Sequence, residues 1–376
     1  MVLVDYLLAS LCAFLVGSPL LTFAVVPPGN ESYLGSQHDG GNPAINMNLF
    51  YIKVYKVGST TVSGVVRRIA VRNGLNMAFE NIPGVEHKDE PFFLAYHVKL
   101  SDLKLKIENN LVKDVFLVTM VRDPVERCMS HFYYNELTQH QLHGKLKRRP
   151  KLQHKLQFAK IACNNFCAHF IEPTAPGADR EGKTGIIFHN GLHLNGQKLA
   201  RWGQLRAPLP VNVDQIIQEY QLIGVAHRFE ESMVLLAFLL NLTLCDILAL
   251  KTKDSHAHTR NIVGQMMAPH ARTRQEPIEL QRYFNSTAFK SANRFDYRLI
   301  QAAEARMDAL IASIGTPRFL KALDLYRGLL HAAQAQCGTV AQKFEDCLME
   351  DHGCGQRCLD KVCKEQSDTA LIRWRL

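Results

Sequence analysis

At 376 residues the chain is long enough to bury one large α/β core and carry an appendage. With 47% hydrophobic and 21% charged residues it has the composition of a globular protein, which excludes a disordered or low-complexity chain. The net charge of +9 favours anionic partners, and since no nucleic-acid module is visible, nucleic acid is not the expected one.

In chain order, the first element is apolar. From Tyr6 to Asn30 no side chain is charged, and Leu7 to Val26 comes close to the ~20 apolar residues that span a bilayer. Residues 1–26 read as a signal anchor or as a cleaved signal peptide, with the anchor expected. For cleavage, Pro19 would break the helix and Thr22-Phe-Ala24 would supply small residues. Asp5 and the lack of a leading Lys or Arg leave charge orientation neutral between them. Either way the rest of the chain is luminal. Residues 27–46, rich in Pro, Gly, Ser and Asn, read as a short stem.

Tyr51-Ile-Lys-Val-Tyr-Lys-Val-Gly-Ser-Thr-Thr-Val62 carries the first chemical signal. A strand through Tyr55 runs into Lys56, turns at Gly58 and opens onto Ser59, Thr60 and Thr61. Val62, Val65, Val66 and Ile69 then recur at helical spacing. A strand, a glycine turn and a helix N-terminus together cradle an anion, with backbone N–H groups and the positive end of the helix dipole converging on it. The pattern is not Walker A, whose lysine follows its second glycine. Phe92–Tyr96, Val115–Val121 and Leu222–Ala226 are further strand candidates. After Val121, Asp123 suits an N-cap, Pro124 the first helical position and Glu126 the acid of a capping box. Arg122 then stands at a strand's carboxyl end and Ser130 about two turns into the helix, a pair able to hold a second phosphate. Leu299, Ala303, Met307, Leu310, Ile311 and Ile314 mark a long amphipathic helix. Strand–helix alternation predicts an α/β fold, a P-loop-like, mostly parallel sheet flanked by helices.

Lys56-Val-Gly-Ser-Thr-Thr61 resembles the 5′-phosphosulfate loop of the PAPS-dependent Golgi carbohydrate sulfotransferases, although Val57 replaces a usual threonine. Arg122-Asp-Pro-Val-Glu-Arg-Cys-Met-Ser130 is similar to their 3′-phosphate motif, and His227-Arg-Phe-Glu-Glu-Ser-Met-Val-Leu-Leu236 to a third shared segment. The likeness covers roughly residues 48 to 315 and is strongest to the uronyl/heparan 2-O and galactose 3-O branches. It implies a sulfotransferase fold and transfer of the sulfuryl group of PAPS to a carbohydrate hydroxyl, with PAP as product. Lys56, Val57, Gly58, Ser59, Thr60, Thr61, Arg122 and Ser130 would bind the donor. His97, in Tyr96-His-Val-Lys-Leu100, is the expected catalytic base, with Glu80 and Glu90 as rivals; Lys56 would stabilise developing charge. No metal is needed, because PAPS brings its own leaving group. Arg127 reads as structural or as rim, and Arg228 as a phosphate contact or a helix-capping salt bridge.

Between Leu137 and Ile171 there is no acid, while Lys145, Lys147, Arg148, Arg149, Lys151, Lys155 and Lys160 are cationic. The run reads as a solvated loop or as a groove for an acidic glycan. Five of the ten cysteines, Cys337, Cys347, Cys354, Cys358 and Cys363, cluster near the carboxyl terminus, where disulfides of an oxidising lumen are expected; zinc ligation is the alternative. Glycosylation triplets occur at Asn30-Glu-Ser32, Asn241-Leu-Thr243 and Asn285-Ser-Thr287, the second of them following an apolar run. The expected organisation is therefore membrane segment 1–26, stem 27–46, catalytic domain 47–330 and Cys-rich tail 331–376. The expected location is the Golgi membrane as a single-pass type II protein, or secretion if the segment is cleaved. A catalytically silent luminal binding protein of the same fold and a small-molecule kinase are the alternative functions.

Overall fold

A computed structural model describes residues 45, 47–77, 92–96, 114–133, 152–163, 212–250, 259–260, 266–267, 276–343 and 355–366. All of them belong to one compact unit, Ala44–Leu376. The expected membrane segment and stem up to residue 44 lie outside the described residues, as do His97, Glu80 and Glu90. Among the described residues no helix is long and apolar enough to cross a membrane.

Five parallel strands form the central sheet: β1 (Asn48–Ile52), β2 (Asn76–Met77), β3 (Phe92–Tyr96), β4 (Val115–Val121) and β5 (Leu222–Val225), in the order β2-β3-β1-β4-β5. Nearly every residue of β1, β4 and β5 is buried, the pattern of strands covered on both faces. β1 stops at Ile52, three residues before the expected end. There the Thr119 hydroxyl of β4 donates to the Ile52 carbonyl at 2.8 Å, and the chain turns away through left-handed Lys56 (φ 63°) and Gly58 (φ 87°).

Helix α1 (Ser59–Arg72) follows, with Val62, Val65, Val66 and Ile69 fully buried on the face that the apolar spacing predicts. Next come α2 (Pro124–Phe132), α3 (Leu152–Ala162), α4 (Val213–Glu219) and, after β5 and a 3-10 turn over Ala226–Arg228, α5 (Phe229–Leu239). Gly224 of β5 lets α5 approach closely, since a Cβ there would stand 2.3 Å from Met120 Sδ and 2.9 Å from Ser232 Cβ. Ser232 fastens the junction: its hydroxyl accepts from Val225 N at 3.0 Å and donates to the Arg228 carbonyl at 2.9 Å.

The remaining elements among the described residues are an antiparallel pair, β6 (Thr259–Arg260) and β7 (Met266–Met267), and five helices. These are α6 (Ile278–Asn285), α7 (Thr287–Ala292), α8 (Arg294–Ile314), α9 (Thr316–Lys343) and α10 (Gln356–Glu365). α8 is the expected amphipathic helix, burying Leu299, Ala303, Met307 and Ile314.

The described residues after 330 are woven into the core that covers the sheet. α9 runs straight across the expected boundary at residue 330, and Leu359, Val362 and Cys363 of α10 join the cluster that covers the sheet. Cys337 pairs with Cys358, and Cys363 with Cys245. Arg68, 2% exposed, reaches from α1 to the Cys245 carbonyl (2.7 Å), Gln356 Oε1 (2.6 Å) and Asp360 Oδ1 (2.7 Å). Arg72 bridges Asp246 and Asp360 at 2.6 and 2.9 Å. Burial lowers the Arg68 pKa, and the charge of Asp360 offsets only part of that. A buried arginine is tolerable only with such partners.

A second apolar cluster joins Cys128, Met129 and Phe132 of α2 to Phe158 and Ala159 of α3, and to Leu280, Phe284 and Phe289 of α6 and α7. The Cys128–Cys163 disulfide closes it. Two cations of the basic run serve this packing. Lys155 Nζ lies 2.5 Å from Glu276 Oε2 and 2.7 Å from the Tyr133 hydroxyl, and Lys160 stands over the Tyr283 ring. The run's other cations, Lys145 to Lys151, lie outside the described residues.

Candidate functional site

The loops that leave the carboxyl ends of β1, β4 and β5 border one cavity of about 410 Å³. This is the edge where open parallel sheets take their ligands. Val57, Gly58 and Thr61 come from the first loop, Arg122 and Glu126 from the second, and residues 226–231 from the third; Arg327 of α9 closes the rim.

Gly58 is the N-cap of α1. It is exposed and left-handed, no side chain caps the helix, and its first turn holds no acid. A Cβ on Gly58 would meet nothing within 4 Å, so glycine is favoured there by backbone conformation rather than by crowding. Val57 borders the cavity but is 1% exposed and belongs to the core cluster, so it anchors the loop. Ser59 is buried, and Lys56, Thr60 and Thr61 are half-buried.

Arg122 connects the first two loops. Its Nη1 donates to the Lys56 carbonyl at 3.3 Å and its Nε to Glu126 Oε2 at 3.2 Å. Asp123 caps α2 as its sequence position predicts, accepting from Val125 N at 2.9 Å and Glu126 N at 3.0 Å. The reciprocal half of a capping box is replaced by the Arg122–Glu126 pair. Ser130 is half-buried on α2 and does not line the cavity; nor do Lys56, Ser59 or Thr60. Arg127 is 3% exposed and pairs with Asp296 at 3.3 Å, a structural ion pair. Burial, reinforced by the charges of Asp123 and Asp296, pushes the nearby Tyr297 phenol up to about 12, so it stays a proton donor.

The third loop supplies a wall of ion-paired side chains. Arg228 pairs with Glu231 and, at 2.7 Å, with Asp308. Partial burial pulls its pKa down, but the hydrogen bonds to the two acids outweigh this and the net shift is upward. His227 Nε2 lies 2.9 Å from Glu304, and Arg327 Nε donates to Glu230 Oε2 at 2.8 Å. The salt-bridge reading of Arg228 is therefore met at the same time as its place on the cavity wall. Arg327 carries no signal in the sequence, because it sits in an ordinary helical stretch and reaches the site only through the packing of α9. The base candidate His97 follows the last residue of β3, whose Tyr96 is in register with Ile52.

Residues 44–174 match the sequence model of the Sulfotransferase family. Galactose-3-O-sulfotransferase 3 of Mus musculus is 26% identical over 291 residues, covering 71% of this chain and 60% of the relative. Its Homo sapiens counterpart is 26% identical over 271 residues, covering 66% of this chain and 58% of the relative. The chain thus spans about three fifths of the length of these curated relatives. No solved structure matches it.

Proposed function

We infer that this chain, whose residues 44–174 match the Sulfotransferase family model, moves the sulfuryl group of PAPS onto a carbohydrate hydroxyl. The observation that carries the reading is the meeting, in one cavity, of the glycine turn that opens α1 and the arginine that follows β4. PAPS has phosphates at both its 5′ and 3′ ends and needs two separated anion contacts. An uncapped helix N-terminus and a guanidinium are the groups that supply them. The two galactose 3-O-sulfotransferases support a sugar as acceptor.

In this reading the N–H groups of Gly58 to Thr61, the hydroxyls of Ser59, Thr60 and Thr61, and Lys56 hold the 5′ end of the donor. Val57 contributes only its backbone, its side chain being spent on the core. Arg122 and Ser130 hold the 3′-phosphate and orient the donor. The acceptor oxygen bonds to sulfur as the bond from sulfur to the 5′-phosphate oxygen breaks, and the acceptor's proton passes to His97. Lys56 and the loop amides stabilise the charge that collects on the leaving phosphate and the sulfate oxygens. Three disulfides support an oxidising compartment, consistent with a Golgi lumen reached through a type II anchor in residues 1–26.

Calorimetric titration of the chain with PAP tests the reading, beside Lys56→Ala and Arg122→Ala. A charge-assisted hydrogen bond contributes about 1.5–3 kcal/mol, so each variant should bind roughly 10- to 100-fold more weakly. ATP should not compete. Radiolabelled PAPS with a panel of sugar acceptors then finds the substrate, with His97→Ala as the inactive control. A folded, disulfide-intact chain that does not bind PAP overturns the assignment.

A further inference from the structure

Two glycosylation triplets fall on described residues, and the fold gives them opposite fates. Asn241-Leu-Thr243 sits in the turn after α5, next to the core. Asn241 is left-handed (φ 51°) with its amide oxygen buried, and Leu242 and Thr243 are 2% and 3% exposed. The Thr243 hydroxyl and backbone N–H both donate to Asp246, the carboxylate that also holds Arg72. Asn241 itself is half-buried, and the threonine that a glycosylating enzyme must read is buried and already bonded, so the folded triplet is not presented to it.

Asn285-Ser-Thr287 lies at the corner between α6 and α7. Asn285 and Thr287 are both exposed, and Ser286 between them is extended (φ −70°, ψ 153°), which breaks the helix and turns the triplet outward. The Ser286 hydroxyl is already engaged, donating to the Tyr283 carbonyl and accepting from Phe289 N. The hydroxyl that a glycosylating enzyme reads, that of Thr287, is the exposed one. Ile278, an unusually exposed apolar residue at 53%, is seven positions earlier on α6 and so on the same helical face as Asn285, about 10 Å away along the axis. A glycan at Asn285 would lie over a face that is otherwise partly apolar.

We propose that Asn285 is an N-glycosylation site, modified in the secretory lumen, and that Asn241 is not modified in the folded protein. The modification rests on the luminal location of the functional reading above, but not on PAPS binding or catalysis. The co-reactant is a lipid-linked oligosaccharide pyrophosphate. The Asn285 amide nitrogen bonds to C1 of the first sugar, the bond from C1 to the pyrophosphate oxygen breaks, the lipid pyrophosphate leaves and the amide loses one proton.

The full chain is expressed in cultured animal cells and treated with a peptide N-glycosidase in oxygen-18 water, which leaves a labelled aspartate at each occupied site. The Asn285 peptide should carry the label and the Asn241 peptide should not. Asn285→Gln and Thr287→Ala should each remove one glycan's worth of mass from the intact chain, Thr287→Ser should keep it, and Asn241→Gln should leave the glycan mass unchanged. A chain with its Cys245–Cys363 bond formed and the Asn285 peptide unlabelled overturns the site. A label at Asn241 in folded protein overturns the discrimination. A chain with neither disulfide nor glycan overturns the luminal premise and the site with it, while PAP binding, read separately, still judges the catalytic assignment.

Discussion

Two helices start side by side at the same edge of the sheet, and they treat their N-termini in opposite ways. α2 closes its own: Asp123 accepts from two first-turn N–H groups, Pro124 has no N–H to leave unpaired, and Glu126 adds a favourable charge. α1 has no side-chain cap and no acid in its first turn, and it begins at an exposed glycine. A helix that caps itself gains stability and leaves little for an anion. In the proposed reading the second anion contact therefore comes from outside the helix, from Arg122 just after β4. At α1 the N-terminus itself is open to a ligand, and stability is recovered at the far end, where Arg68 and Arg72 bind α10 and the turn after α5.

Substitutions can break or sharpen this contrast. The largest effect expected is on stability. Arg127→Ala would strand buried Asp296 beneath α2 and cost about 3–5 kcal/mol, measured by chemical denaturation. Next comes Thr61→Asp, which gives α1 the first-turn acid that α2 has. PAP affinity should fall by about 100-fold, as a like charge on the cavity wall meets the phosphate. The midpoint of unfolding should hold or rise slightly, because an acid near a helix N-terminus contributes about 0.3–1 kcal/mol. Loss of both together would mean that the loop was simply damaged. Asp123→Ala should reverse the pattern, costing about 1 kcal/mol of stability with a much smaller change in PAP affinity. The smallest effect belongs to Glu126→Gln. Glu126 competes with a phosphate for the Arg122 guanidinium, and a part-exposed pair of this kind contributes about 0.2–1 kcal/mol. PAP should bind a few-fold more tightly, and a weaker affinity would show that Glu126 orients Arg122 instead of restraining it.

Much of the site's scaffold was legible locally. The buried runs Val115–Val121 and Leu222–Val225, the stripe from Val62 to Ile69 and the cap at Asp123 follow from side-chain period and turn chemistry, which act over a few residues. The glycine turn at Gly58 was legible for the same reason. The end of β1 was not, because it depends on a hydroxyl from β4, 67 residues away. Nor was the burial of Val57 in the core cluster, since a single valine in a turn does not reveal what will cover it.

By itself, then, the amino-acid sequence determined β1, β3, β4 and β5, the helices α1, α2 and α8, the parallel α/β arrangement and two motifs suited to an anion, because those depend on hydrogen bonds and apolar spacing within each segment. Only the tertiary structure decided that α10 braces α1, that Cys245 pairs with Cys363 and Cys128 with Cys163, and that Arg228 and Arg327 share a cavity with Gly58 and Arg122. Those partners are remote in the chain, and no local pattern records which of many cysteines or arginines the packing of a whole core will bring together.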